Sequence, residues 1–192
     1  MIQDHDRSGW IGASDTAFVI GNWNTKTWKD WWLKKLGVDN SHFDNQYTLA
    51  GTHYEHRILR SLDIPDMVLD AQILLPDISL RVNLDGNTAD TNYECKTFKW
   101  ENGFKVPKKY RDQTQVQMYA SGLRKTVLVA YGLTAAEYKN FFLPIDPDRR
   151  LTFPIIYDEL WIERVYLPKL RELSRCLKEG ILPESVVAFW NR

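Results

Sequence analysis

Only two cysteines occur among the 192 residues of this chain. Cys95 and Cys176 are too few and too scattered for a disulfide framework, a zinc ribbon or a four-cysteine iron–sulfur cluster. Both are expected to be buried free thiols, because unpaired cysteine packs as a small hydrophobe. No run of eighteen apolar residues exists, so no membrane-spanning helix is expected. The segment Met1–Arg7 is polar and lacks the apolar stretch of a secretory signal, which gives the expectation of a cytoplasmic protein. Internal repeats, low-complexity tracts and linker-like stretches are missing too, so residues 1–192 read as a single domain. Net charge is absent as well: 25 basic and 25 acidic residues cancel. The total therefore gives no global sign of a nucleic-acid partner.

What is present fits an ordinary globular protein with one well-buried core, at 44% hydrophobic and 26% charged residues. The charge is not evenly spread. Lys96, Lys99, Lys105, Lys108, Lys109 and Arg111 fall in one short stretch, which reads either as a solvated loop and helix start or as a phosphate-facing rim. Ser14-Asp15 predicts a helix start before Thr16–Ile20, stopped by Gly21, and Thr27 a cap for a second helix through Leu36. Trp28, Trp32 and Leu36 share a face of that helix, expected in the core. A third helix is expected from about Gln46 to Leu62, with Leu49, Tyr54, Ile58 and Leu62 near one stripe.

Strands are predicted at Met67–Leu75, Ile78–Leu84, Thr91–Thr97, Thr126–Tyr131 and Tyr138–Leu143, with turns at Pro76-Asp77 and Asp85-Gly86-Asn87. Helical pattern returns from Lys108 to Ser121, closed by Gly122, and from about Tyr157 to Lys178, where Leu160, Leu167, Leu170, Leu173 and Leu177 recur. Helices before and after a central group of strands imply an α/β (α+β) fold, a mixed sheet covered by helices.

The chemistry concentrates at Asp85-Gly86 and Tyr93-Glu94-Cys95-Lys96-Thr97. Alternation along a strand projects Glu94 and Lys96 together, with Cys95 facing the other way. A turn that brings Asp85 beside Glu94 creates two close carboxylates, which require a cation or a shared proton. With the Cys95 carbonyl they make a sufficient oxygen site for Mg²⁺. Glu55, near the apolar stripe of the third helix, is a further carboxylate, readable as a structural group or as a ligand. His53 and His56, without a third nearby ligand in sequence, read as surface residues.

Asp85 followed by Glu94-Cys95-Lys96 resembles the core motif of the PD-(D/E)XK nucleases. The surrounding residues are similar to the lambda exonuclease and YqaJ-like viral recombinase family at four separated places. Arg7 with Ile11-Gly12-Ala13-Ser14-Asp15 resembles its N-terminal arginine and (I/G)-x-(A/G)-S-D segment. Gly51-Thr52-His53-Tyr54-Glu55 resembles its G-x-x-x-E helix motif. Leu84-Asp85-Gly86 and Glu94-Cys95-Lys96 resemble its D-G and E-x-K elements. Tyr110-Arg111-Asp112-Gln113-Thr114-Gln115, with Ser121-Gly122 after it, resembles its Y-x-x-Q-x-Q helix. The likeness spans about residues 7 to 122 and departs at Leu84, where proline is frequent; the chain is also short for the family.

The resemblance implies a restriction-endonuclease-like fold and a Mg²⁺-dependent exonuclease, with Mn²⁺ substituting. Its ligands would be Asp85, Glu94, Glu55 and the Cys95 carbonyl, with Lys96 and Gln113 at the reacting phosphate. Arg7 and Ser14, the serine at a helix N-terminus, would bind a terminal 5′-phosphate. The implied substrate is linear double-stranded DNA, resected 5′ to 3′ to leave a 3′ overhang for a single-strand annealing protein in phage-type recombination. A homo-oligomer, and the host cytoplasm if the chain is phage-encoded, are further implications. Two alternatives stay open: an endonuclease of restriction or junction-resolving type, and a non-catalytic DNA-binding module.

Overall fold

The computed structural model describes residues 8–38 and 46–190. Arg7 lies outside the described residues. The chain opens with a two-residue strand β1 (Ile11–Gly12), a 3₁₀ turn at Ala13–Asp15, and helix α1 (Thr16–Ile20). Helix α2 (Lys26–Lys35) is capped by Thr25, whose side chain accepts from the Trp28 N–H at 3.1 Å, so the start lies two residues before the expected Thr27. Trp28, Trp31 and Trp32 sit three and four positions apart and are buried. The Trp28 and Trp32 rings stack at 5.4 Å, which makes this face core.

Helix α3 (Gln46–Arg60) buries Ala50, Tyr54, Ile58 and Leu59, while Leu49, expected on the stripe, is exposed. Strands β2 (Val68–Leu75), β3 (Leu80–Asn87) and β4 (Asn92–Lys99) follow. Helix α4 (Lys108–Ser121) ends at Gly122, whose φ of +75° suits a residue without a Cβ. Strand β5 (Lys125–Leu133) leads to helix α5 (Ala135–Lys139), strand β6 (Arg150–Ile156), a short helix α6 (Glu159–Trp161), α7 (Leu167–Glu179) and α8 (Glu184–Trp190).

Three expectations are corrected. Tyr138–Leu143 is not a strand, because Glu137 caps α5 by accepting from both the N–H and the hydroxyl of Thr134 at 2.8 Å. The sixth strand is instead Arg150–Ile156, at the end of the sheet, where Pro154 is tolerated although it lacks an N–H. The last long helix is interrupted by a π-helical turn at Ile162–Tyr166 ahead of Pro168, which cannot donate to the preceding turn. That break leaves Leu160 exposed.

The six strands form one mixed sheet in the order β1-β3-β4-β5-β6, with β2 paired to β3. Between β3 and β4 the pairing is confined to Gly86↔Tyr93 and Asn87↔Asn92, next to the turn that joins them. β2 pairs with β3 along its length, and β5 with all of β4. The two central strands therefore diverge beyond the turn and open a gap in the sheet. Alternation turns Leu80, Val82 and Leu84 into the core shared with α2 and α7, and leaves Arg81, Asn83 and Asp85 for the gap. On β4, Cys95 packs with Ala50 and Tyr54 of α3, leaving Glu94 and Lys96 for the same gap. Both cysteines are buried and free. Among the described residues no helix is long and apolar enough to cross a membrane.

Candidate active site

The gap is an open cleft of about 200 Å³. Asp85, Glu94, Lys96 and Gln113 line it, and so do Trp10, Gly12, Ser14, Lys35, Arg81 and Asn83. Gly12 of β1 pairs with Arg81, so the second group gathers at the end of β3 remote from its turn. The strand rise places Arg81 about 13 Å from Asp85 along β3.

At the turn end, the Cys95 N–H donates to Asp85 Oδ2 at 2.8 Å and ties the two strands where their ladder has stopped. Glu94 is 1% exposed. Its Oε1 accepts from Gln113 Nε2 at 2.6 Å and is ion-paired with the Lys96 ammonium. The second oxygen accepts from Gln117 Nε2 at 2.5 Å. Lys96 also stands 5.2 Å above the Tyr110 ring, a cation–π contact from the first turn of α4.

The electrostatics report crowding of like charge. Burial pushes the Asp85 carboxyl well above its ordinary range, and Glu94 and Glu55 push it further, against Lys96 and the Cys95 N–H. Glu55 is raised by burial and then by Glu94. For Lys96, burial acts downward, but Glu94 and Asp85 outweigh it and hold the group above its usual value, as an ammonium. The Cys95 thiol is raised well up by burial and then by Asp85, so it stays protonated and its carbonyl is the group left to act as a ligand. An all-oxygen set beside two mutually repelling carboxylates fits a hard divalent cation.

Glu55 stands somewhat apart. Among the described residues, the trio of ligand atoms drawn within 4.8 Å of one another is Glu55, His56 and Asp70, not Glu55 with Asp85 and Glu94. His56 Nε2 lies 3.0 Å from Asp70 Oδ1, so this histidine is not the surface residue expected; its partner comes from β2, fourteen positions on. His53 is exposed and stacks on Phe141 at 5.0 Å.

Ser14 is not the helix N-cap anticipated. It lies within the 3₁₀ turn, and the five-residue α1 after it has no side-chain cap. The carboxylate of Asp15 builds this turn: Oδ2 accepts from the Gly12 N–H at 2.7 Å and pairs with Lys35 Nζ at 2.6 Å, while Oδ1 accepts from Trp31 Nε1 at 3.0 Å. The exposed Ser14 hydroxyl is thereby fixed at the cleft edge. Sequence reading missed Lys35, Arg81, Asn83 and Gln117. Alternation back from Asp85 points to Asn83 and Arg81, and a helical turn on from Gln113 points to Gln117; Lys35 has no local signal. Past Lys96, the run Lys99, Lys105, Lys108, Lys109 and Arg111 is exposed, as either reading of it requires.

No family model and no curated protein matches the chain. Solved structures do. The alkaline exonuclease LHK-Exo from Laribacter hongkongensis superposes with a TM-score of 0.69 at 18% identity, covering 96% of this chain and 93% of that one. Beside this neighbour the chain is not short. LHK-Exo in complex with dAMP gives 0.69 at 20% identity, covering 90% of each chain. A phage-related exonuclease from Haemophilus somnus 129PT gives 0.58 at 14%, covering 93% and 95%. The chain shares the fold of these exonuclease structures.

Proposed function

We propose that this chain is a divalent-metal-dependent exonuclease that degrades linear double-stranded DNA from 5′-phosphorylated ends. The observation that carries the reading is that Asp85 and Glu94, from the divergent strands, line one cleft, with Lys96 ion-paired to Glu94 and the Cys95 N–H donating to Asp85. Asp85, Glu94 and the Cys95 carbonyl would hold Mg²⁺, with Glu55 within electrostatic reach and Mn²⁺ an adequate substitute. The cation, when bound, lowers the pKa of water and neutralises charge on the reacting phosphate.

The protein's own groups do the rest. The Lys96 ammonium, ion-paired with Glu94, donates to a water or a phosphate oxygen and orients it. Gln113, at the cleft edge, keeps Glu94 in place and faces the phosphate. In hydrolysis the water oxygen bonds to phosphorus, the bond from phosphorus to the 3′ oxygen breaks, and that oxygen leaves with the electron pair and gains a proton. The products are a 5′-mononucleotide and a strand with a new 5′-phosphate, so each cut regenerates the end that the next one needs. The dAMP bound by the LHK-Exo structure belongs to that product class.

A terminal phosphate would lie toward Ser14, Lys35 and Arg81. The exposed lysines after β4 supply sequence-independent attraction for the duplex. The 3′ overhang left behind is a substrate for a single-strand annealing protein, as in phage-type recombination.

End-labelled linear duplex incubated with pure protein and Mg²⁺, with products resolved over time, tests the reading. Mononucleotides from the 5′ end, and no cutting of a covalently closed circle, are expected; digestion of the circle would make the protein an endonuclease. Duplex with 5′-phosphate should be digested roughly ten- to a hundredfold faster than 5′-hydroxyl duplex, the worth of one or two charge-assisted hydrogen bonds. Equal rates would remove the terminal-phosphate pocket.

A further inference from the structure

We infer that Gln117 is a positioning residue for the metal site, holding the Glu94 carboxylate in one orientation from the side opposite Lys96. This rests on reading Asp85 and Glu94 as cation ligands. A glutamate's terminal torsion is broad and two-fold, so a carboxylate held by one oxygen can still turn its plane. Glu94 is held by both. Gln113 and Lys96 engage Oε1, and Gln117 engages Oε2. A carboxylate offers about four lone-pair sites. Three are occupied by these donors, and the remainder is left for a cation.

Helix α4 makes the grip rigid. Gln113, Gln117 and Ser121 are spaced one turn apart on a single face. Ser121 Oγ accepts from Asn92 Nδ2 at 2.9 Å, so this stripe meets the alternate residues 92 and 94 of β4 along two turns of helix. Gln117 is 1% exposed, and its Oε1 is buried without a hydrogen-bond partner. Such an atom has given up the water it would bind in the unfolded chain, at a cost to stability. A chain selected for packing alone has cheaper side chains for this position, and an amide retained at that cost is explained by what its N–H does to Glu94.

The test uses the DNA-free protein and Mn²⁺ alone, with free ion counted by electron paramagnetic resonance. Gln117→Met and Gln117→Asn, the second keeping an amide too short to reach, should weaken Mn²⁺ binding about 10–100-fold, the usual effect of losing a partner behind a ligand. The Mg²⁺ concentration for half-maximal digestion should rise in parallel, with KM for DNA at saturating Mg²⁺ unchanged. Ser121→Ala, which removes the Asn92 contact but leaves every donor to Glu94 in place, should cost far less Mn²⁺ affinity than either Gln117 variant. Wild-type affinity in either folded Gln117 variant overturns the inference, and so does an equal loss in Ser121→Ala. If Gln117→Met does not fold, the asparagine variant decides. A wild-type protein that binds no Mn²⁺ overturns the metal site itself, and the clamp with it.

Discussion

Lys96→Ala is expected to lower turnover of linear duplex by about 10²–10³-fold, the cost of removing one preorganised donor aimed at developing charge. Asp85→Ala should do at least as much, because it removes a ligand as well as the acceptor of the Cys95 N–H. For Lys96→Ala the loss is not a folding defect. Glu94 keeps the amides of Gln113 and Gln117 as donors, so the buried carboxylate is not abandoned. Circular dichroism should match the wild type and the metal-free protein should melt lower, because Lys96 offsets the carboxylates around it, while single-turnover rates at saturating DNA and Mg²⁺ collapse. KM for DNA should change little, since the exposed lysines from Lys99 to Lys109 still meet the duplex. Full activity of either purified variant would discard the site.

The fold was legible where a local pattern has one physical solution. The alternation of Glu94 with Lys96 and the tryptophan face of α2 follow from strand and helix periodicity, and the structure keeps both. The turn expected at Asp85-Gly86-Asn87 lies instead at residues 88–91, because those three residues continue β3 and the Thr88 N–H donates to the Thr91 carbonyl at 2.9 Å. Errors arose where tertiary context overrode local preference. The run Tyr138–Leu143 has strand-forming residues but begins inside a capped helix, and Arg150–Ile156 carries a proline that only a strand at the sheet's end accommodates. For the site, residues on the same strand or helix as a recognised group could be reached by counting: Asn83 and Arg81 from Asp85, Gln117 from Gln113. Lys35 and Asp70 could not. Lys35 reaches the cleft through its pair with Asp15, twenty positions earlier, and Asp70 meets His56 through the packing of α3 beside β2.

Asp85→Asn should be inactive and, without metal, more stable than the wild type. The carboxyl of Asp85 is raised in the folded chain by burial and by Glu94 and Glu55. In the unfolded chain it titrates near the ordinary value of about 4. The folded state thus holds its proton to higher pH than the unfolded state. Stability of the metal-free protein must fall as pH rises through that ordinary value, and the loss is complete above the raised folded one. Asparagine removes the charge and keeps an oxygen that accepts from the Cys95 N–H. In EDTA at neutral pH the variant should melt higher, by about 2–4 °C for each kcal/mol of repulsion relieved in a chain of this size. Near pH 4 the two curves should converge, since Asp85 is then protonated when folded. Adding Mg²⁺ should reverse the order. A ligand present at a hundred times its dissociation constant stabilises the state that binds it by about 2.7 kcal/mol, which the wild type gains and the variant forfeits. If the variant instead melts below the wild type in EDTA, Asp85 is a structural carboxylate fastening β3 to β4, and the crowding of charge in the cleft has another purpose.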